Sequence, residues 1–198
     1  MRILKNTVEA EIVIKKSRFL SQAVSVDDPN EAKYLIKERK QAFADINHVV
    51  FAFIIGPQGN IMGCSDDGEP SGTAGRPTLA VLKGSGITNI LLTTIRWFGG
   101  IKLWTGGLVH AYGESARAVL AEAETEEFLE MARCSFSVPY SLYEQVKRLL
   151  SDLRFRVEEE KFTDEVAICG ELCAENFPLL QHRLRELSNG AVAVFPHE

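Results

Sequence analysis

From Thr7 to Ile14 the chain reads TVEAEIVI, in which Val8, Ala10, Ile12 and Ile14 share one face and Glu9 and Glu11 the other. A period of two predicts a half-buried strand. KKSR then reads as a turn and FLSQAVSV as a second strand, so the pair predicts a hairpin. Asp28-Pro29-Asn30-Glu31 marks a helix start. Asp28 can accept from free backbone N–H groups, proline suits the first helical position, and Glu31 suits the positive helix end. This helix is expected to reach about Phe43. HVVFAFIIG (His48 to Gly56) is continuously apolar, as in a buried strand, with PQGN as its turn. PTLAVLKGSG predicts a short helix stopping at Gly84, and NILLTTIRWF (Asn89 to Phe98) another buried strand. In LVHAYGESARAVLAEAE a helical period puts Leu108, Tyr112, Ser115 and Val119 on one face and His110 opposite, toward solvent.

Around Glu122 to Glu130 the chain turns acidic, EAETEEFLE, which reads as a helix end and a linker. The pattern restarts at Ser135. SFSVPY, FRVEEEKF, EVAICGELCAE and AVAVFP read as strands; SLYEQVKRLLSDL and FPLLQHRLRELSNG read as helices. The order βαββαβ in the last 64 residues is the ferredoxin-like signature. The expectation is an α+β chain of two domains, residues 1–130 and 135–198.

Two stretches fit no core. SDDGEPSGTAGRP (Ser65 to Pro77) holds three acids, three glycines and two prolines, with Arg76 its one cation. RWFGGIKLWTGG (Arg96 to Gly107) sets Trp97, Phe98 and Trp104 among Arg96, Lys102 and two glycine pairs. The helix that starts near Gly106-Gly107 exposes unpaired N–H groups and a partial positive charge, so it can hold an anion, with Thr105 as a cap or a phosphate ligand. Arg76, Arg96 and Lys102 would join it if the two stretches share an edge. Aromatics beside cations can also stack the bases of single-stranded RNA, and Trp104 is the best exposed candidate. One of Trp97 and Phe98 is expected to turn into the core. The plainer alternative is turn chemistry alone.

Asp66, Asp67 and Glu69 could hold a divalent cation, form an exposed turn pivoting on Asp67-Gly68, or meet a basic partner. His48 reads as a satisfied edge histidine. Cys64 and Ser71 lie near the loop, but no base is placed beside either, and Ser71 lacks a GxSxG setting. No catalytic residue, metal or cofactor is therefore assigned.

The chain has 198 residues and a formal net charge of -5, which argues against a surface that attracts nucleic acid everywhere but not against a local basic patch. Residues 1–134 carry 15 Lys/Arg against 16 Asp/Glu, and the remainder 7 against 11, so a polyanion site belongs on the first domain. Cys64, Cys134, Cys169 and Cys173 form no CxxC and read as reduced thiols. Without a signal-like stretch or a membrane-length apolar run, a cytoplasmic location is expected.

SDDGEPSGTAGRP, followed by TNILLTTIRWFGGIKLWTGGLVHAYGESA and preceded by KKSRF (Lys15 to Phe19), resembles the IMPACT family signature, in its YigZ-like bacterial branch with a second small domain. The resemblance covers the full length. It implies a first domain like the second domain of a small-subunit ribosomal protein, an α/β sandwich. It implies a ferredoxin-like second domain like the last domain of the translocase elongation factor. The eukaryotic relatives regulate translation by binding an activator of an initiation-factor kinase, a pathway bacteria lack. The family's usual tyrosine is Trp97 here, its small residue Trp104, and its arginine His110; His48-Val49-Val50 stands for His-Asn-Cys.

The resulting expectation is a regulator linked to translation, binding RNA, the ribosome or a translation-associated protein, with no membrane partner and no DNA specificity. Arg76, Arg96, Lys102, Thr105, Gly106 and Gly107 would hold phosphate and Trp104 would stack. The alternatives are a protein-binding module, in which Asp66, Asp67 and Glu69 face a basic partner, and an enzyme acting on a phosphorylated small molecule.

Overall fold

The computed structural model describes residues 1–43 and 48–197. The chain divides into two compact units, Met1–Phe128 and Leu129–Glu198. The first contains β1 (Arg2–Leu4), β2 (Val8–Ile14), β3 (Ser17–Ser25), α1 (Pro29–Ala42), β4 (Val49–Ile55), β5 (Ile61–Ser65), α2 (Gly75–Ser85), β6 (Ile90–Trp97), α3 (Thr105–Ala121) and β7 (Thr125–Glu127). Its main sheet has the order β2-β3-β6-β4-β5, with every neighbouring pair antiparallel. β5 and β6 both oppose β4, so α2 and α3, which follow them, begin at the same end of the sheet.

Alternation sorts the strands between two apolar layers. Phe19 and Val50 pack with Leu108, Ala111 and Tyr112 of α3, while Ala23, Ala52 and Leu92 pack with Leu82 of α2 and Ala116 of α3. On the opposite face, Val24, Phe51, Phe53 and Leu91 meet Ala32, Leu35 and Ile36 of α1. The unit is thus an α/β sandwich. Burying a side chain the size of Phe19 contributes about 1.5–3 kcal/mol.

Several boundaries differ from the sequence expectation. The acidic linker is partly a strand: Thr125–Glu127 pairs with Arg2–Leu4. Backbone pairing needs no apolar period, and Leu4 alone anchors the ribbon in the core. β5 was missed because IMGCS is short and does not alternate; Ile61 and Met62 are both exposed. α2 starts at Gly75, ahead of Pro77, and closes on Gly86 with φ of 69°, beyond Gly84. α1 does take Asp28 as its cap, with the Asn30 N–H donating to Asp28 Oδ1 at 3.0 Å, and ends at Ala42.

The second unit runs β8 (Met131–Val138), α4 (Tyr140–Asp152), β9 (Arg156–Phe162), β10 (Val166–Cys173), α5 (Phe177–Leu187) and β11 (Phe195–His197). Its antiparallel sheet has the order β11-β8-β10-β9. Fourth, first, third, second is the ferredoxin-like arrangement expected from the element order. Phe136, Ile168, Leu172 and Leu180 form its core. The first strand begins at Met131, ahead of Ser135. The last covers only Phe195–His197, because it pairs solely with Arg133 to Ser135. All four cysteines are free thiols. Burial, helped by neighbouring Cys169, pushes the Cys134 thiol up to about 11.

Candidate functional site

The two unusual stretches meet at the end of the main sheet where α2 and α3 begin. In the first stretch every carboxylate turns inward. Asp66 Oδ2 accepts from the Gly72 N–H at 2.7 Å, and Oδ1 accepts from the N–H groups of Ala74 and Gly75 at 3.0 and 2.8 Å. Asp66 therefore fills the N-terminus of α2 with the chain's own anion. Burial alone would raise its carboxyl pKa, but the three backbone donors and Arg76 outweigh that and hold it below the ordinary carboxylate value. Gly75 is required there, since a Cβ would lie 2.8 Å from the Ser65 carbonyl.

Asp67 ties three elements. Its Oδ2 accepts from the Val49 N–H at 2.6 Å, Lys40 pairs with Oδ1, and its carbonyl lies 2.6 Å from His48 Nδ1. His48 is thus a satisfied histidine at the start of β4, and Gly68 leaves room for its ring. Glu69 reaches under the second stretch. Its carboxylate accepts from Arg96 Nη1 at 2.9 and 3.1 Å and from the Tyr112 hydroxyl at 2.7 Å. The Arg96 and Glu69 side chains are only 12% and 6% exposed, so each is the other's counterion rather than a free ion. Burial, then the Glu69 charge, pushes the Tyr112 hydroxyl far above the ordinary phenol value. Below this cluster Ser21 Oγ lies 2.7 Å from Thr94 Oγ1 and 2.6 Å from Ser115 Oγ, all buried.

The second stretch turns outward after Arg96. Trp97 is half-buried beneath the Arg18 guanidinium, 3.8 Å from its ring centre, and meets Phe43 edge-on. Neither Trp97 nor Phe98 is fully buried. Gly99 packs so tightly on the β2–β3 turn that a Cβ would lie 1.8 Å from the Lys16 carbonyl oxygen. That contact sets the backbone of the β2–β3 turn, which carries exposed Lys15 and Lys16, against Gly99, which is followed by exposed Ile101 and Lys102. Trp104 is 74% exposed, with the Lys102 ammonium 5.2 Å from its ring centre. Trp104 is the cap residue of α3 but makes no side-chain cap bond, and the first turn carries no acid. A Cβ on Gly106 would meet nothing within 4 Å.

Two concavities flank this helix start. One of about 400 Å³ is lined by His48, Glu69, Arg96, Phe98 and Lys102 among others. The other, about 840 Å³, runs between α2 and α3 and has Pro77 and Gly106 in its lining, which places the two helix starts side by side. Lys102, Trp104, Thr105, Gly106 and Gly107 are therefore contiguous, with exposed Arg76 at the neighbouring helix start. Arg96 and Glu69 form the floor; Asp66 and Asp67 stitch the loop. Sequence reasoning missed Tyr112 as a polar group and passed over Lys15 and Lys16, although KKSR was read as a turn. Among the described residues no helix is long and apolar enough to cross a membrane.

A model of the Impact N-terminal domain matches residues 15–120, and a domain of unknown function (DUF1949) matches residues 136–191. The chain is 33% identical over 187 residues to the IMPACT family member YvyE of Bacillus subtilis, covering 94% of this chain and 86% of that one. It is 30% identical over 187 residues to the IMPACT family member YigZ of Escherichia coli, covering 93% and 92%. A crystal structure of a hypothetical protein matches with a TM-score of 0.70 at 30% identity, covering 100% of this chain and 97% of that one.

Proposed function

The chain belongs to the IMPACT family, and on that footing we propose that it is a translation-linked regulator that binds single-stranded RNA, free or on the ribosome, through the start of α3. The observation that carries this reading is Trp104, held in solvent with Lys102 over one ring face at an uncapped helix N-terminus. Such a group stacks a base with its open face, while the helix amides and Lys102 take the adjoining phosphate. Lys15, Lys16 and Arg76 extend the cationic rim, and Phe98 offers a second ring. Arg96 supports the surface from below through Glu69, with no charge to spare for phosphate.

The test is binding of the full chain to a short single-stranded RNA and to purified ribosomes at two salt concentrations. Lys102→Ala is expected to weaken binding about tenfold at low salt and to lower the salt slope by about one; Trp104→Ala is expected to weaken binding with the slope unchanged. Unchanged affinity and slope in both variants overturn the reading and shift the weight of exposed Phe98, Ile101 and Trp104 to a protein partner.

A further inference from the structure

Four strands close the edges of the two large sheets, and three of them are guarded against pairing with another chain. β2 carries Glu9 and Glu11, ion-paired to Arg39 and Arg18. β9 carries Glu158, Glu159, Glu160 and Lys161, and β11 has three residues with Pro196 at its centre. β5 reads Ile-Met-Gly-Cys-Ser, without a charge or a proline. An edge strand presents unpaired N–H and C=O groups, and natural proteins blunt that template with the devices the other three show.

Among the described residues, the surroundings of β5 are also partly open. Ile61 and Met62 are 48% and 44% exposed. On the sheet face that carries α1, Phe51 and Phe53 stack with ring centres 6.5 Å apart and remain half-buried. The Phe53 ring crosses Gly63, where a Cβ would come within 2.5 Å of it. An apolar strip thus runs up to an open edge.

We propose that β5 pairs antiparallel with β5 of a second copy of this chain, about a two-fold axis through Gly63, joining two five-stranded sheets into one. Such an axis stands perpendicular to the sheet, so each face stays on its own side. Ile61 then falls opposite Ser65 of the second copy, on the face of Phe51 and Phe53. Met62 falls opposite Cys64 of the second copy, on the other face. No like charges are opposed, because the strand has none, and a strand this uncharged matches itself. The pair uses both free β5 edges and leaves only the charged β2 edges outside, so it closes as a dimer rather than growing. None of the residues proposed to contact RNA lies on this edge.

The decisive measurement is analytical ultracentrifugation of the full chain over a roughly hundredfold range of concentration. A concentration-dependent dimer is expected, with the dissociation constant raised at least about tenfold in Ile61→Lys/Met62→Lys, which adds the missing edge charges. Met62→Cys supplies an independent readout of register. Mild oxidation should give a reducible covalent dimer through the native Cys64 of the second copy, lost in Met62→Cys/Cys64→Ser. If the lysine pair fails to fold, this cross-link decides alone. A monomer at every concentration overturns the proposal, as does a dimer untouched by the lysine pair or a Met62→Cys cross-link that survives without Cys64.

Discussion

Helices α2 and α3 begin at the same end of one sheet, yet their N-termini are treated in opposite ways. α2 receives the Asp66 carboxylate, which takes the N–H groups of Gly72, Ala74 and Gly75. α3 starts behind Trp104 with no side-chain cap and no acid in its first turn. Both starts favour an anion on physical grounds, since unpaired amides and the helix dipole attract negative charge. One is satisfied from within, at the cost of making its loop rigid and specific. The other stands open beside Lys102 and an exposed tryptophan. The lesson is that glycine-rich sequence before a helix has two meanings. At Gly75 it allows the chain to close on itself; at Gly106 it leaves space.

The largest expected effect tests the closed start. Gly75→Ala sets a Cβ 2.8 Å from the Ser65 carbonyl and 2.9 Å from the Ser65 nitrogen, atoms that cannot move without breaking β5 and the Asp66 cap. A loss of about 4 kcal/mol is expected in urea unfolding. A loss below about 1 kcal/mol would show that the loop relaxes freely and that the closed start is not rigid.

Next comes the floor beneath the open start. Glu69→Gln leaves the buried Arg96 charge without its carboxylate and is expected to cost about 3 kcal/mol. Glu69→Leu/Arg96→Met/Tyr112→Phe removes both charges together with the buried hydroxyl that donates to Glu69, and should recover most of that loss. A triple variant as unstable as the single changes combined would mean that packing, rather than the polar cluster, holds the two stretches together.

Asp66→Asn is smaller, about 1–2 kcal/mol at neutral pH. The size of this loss depends on pH. The folded carboxyl lies below its ordinary value of 3.8, so its contribution is complete above that value and is lost as pH falls through the lower folded value. The acid limb of the stability curve should therefore flatten in Asp66→Asn. An unchanged acid limb would remove Asp66 as the anion of α2.

The strands and helices with a clear period were legible from the chain: β2 and β3 by alternation, α1 by Asp28 and Pro29, and the second unit by the order of its elements. What escaped lacked an apolar signal. β7 is held by backbone pairing to β1, and β5 has consecutive exposed residues. At the candidate site, composition showed that the two glycine-rich stretches were special, and their contact is real: Glu69 binds Arg96 and Tyr112. Sequence could not say that acids grouped with an outside partner point inward, because the direction of a side chain in a loop depends on the turn that carries it. Asp67 sits at φ of 44° and Gly68 at 93°, and that turn aims Asp67 at Lys40 and Val49. Tyr112 was read as one more core residue because a helical period reports the ring and is silent about its hydroxyl.

The smallest effect is the sharpest test of the comparison. Gly106 lies in the first turn of α3, its φ is ordinary, and an added Cβ would meet nothing within 4 Å. Alanine there should leave stability unchanged or raise it by up to about 1 kcal/mol, since glycine has the lower helix propensity. Gly75→Ala and Gly106→Ala thus differ in sign for the same chemical change at two neighbouring helix starts. If Gly106→Ala is neutral in a thermal melt yet weakens RNA binding, the space over Gly106 is reserved for a ligand approaching the α3 amides. If it leaves both unchanged, the backbone there carries no phosphate, and the work of the open start falls to Lys102 and Trp104 alone.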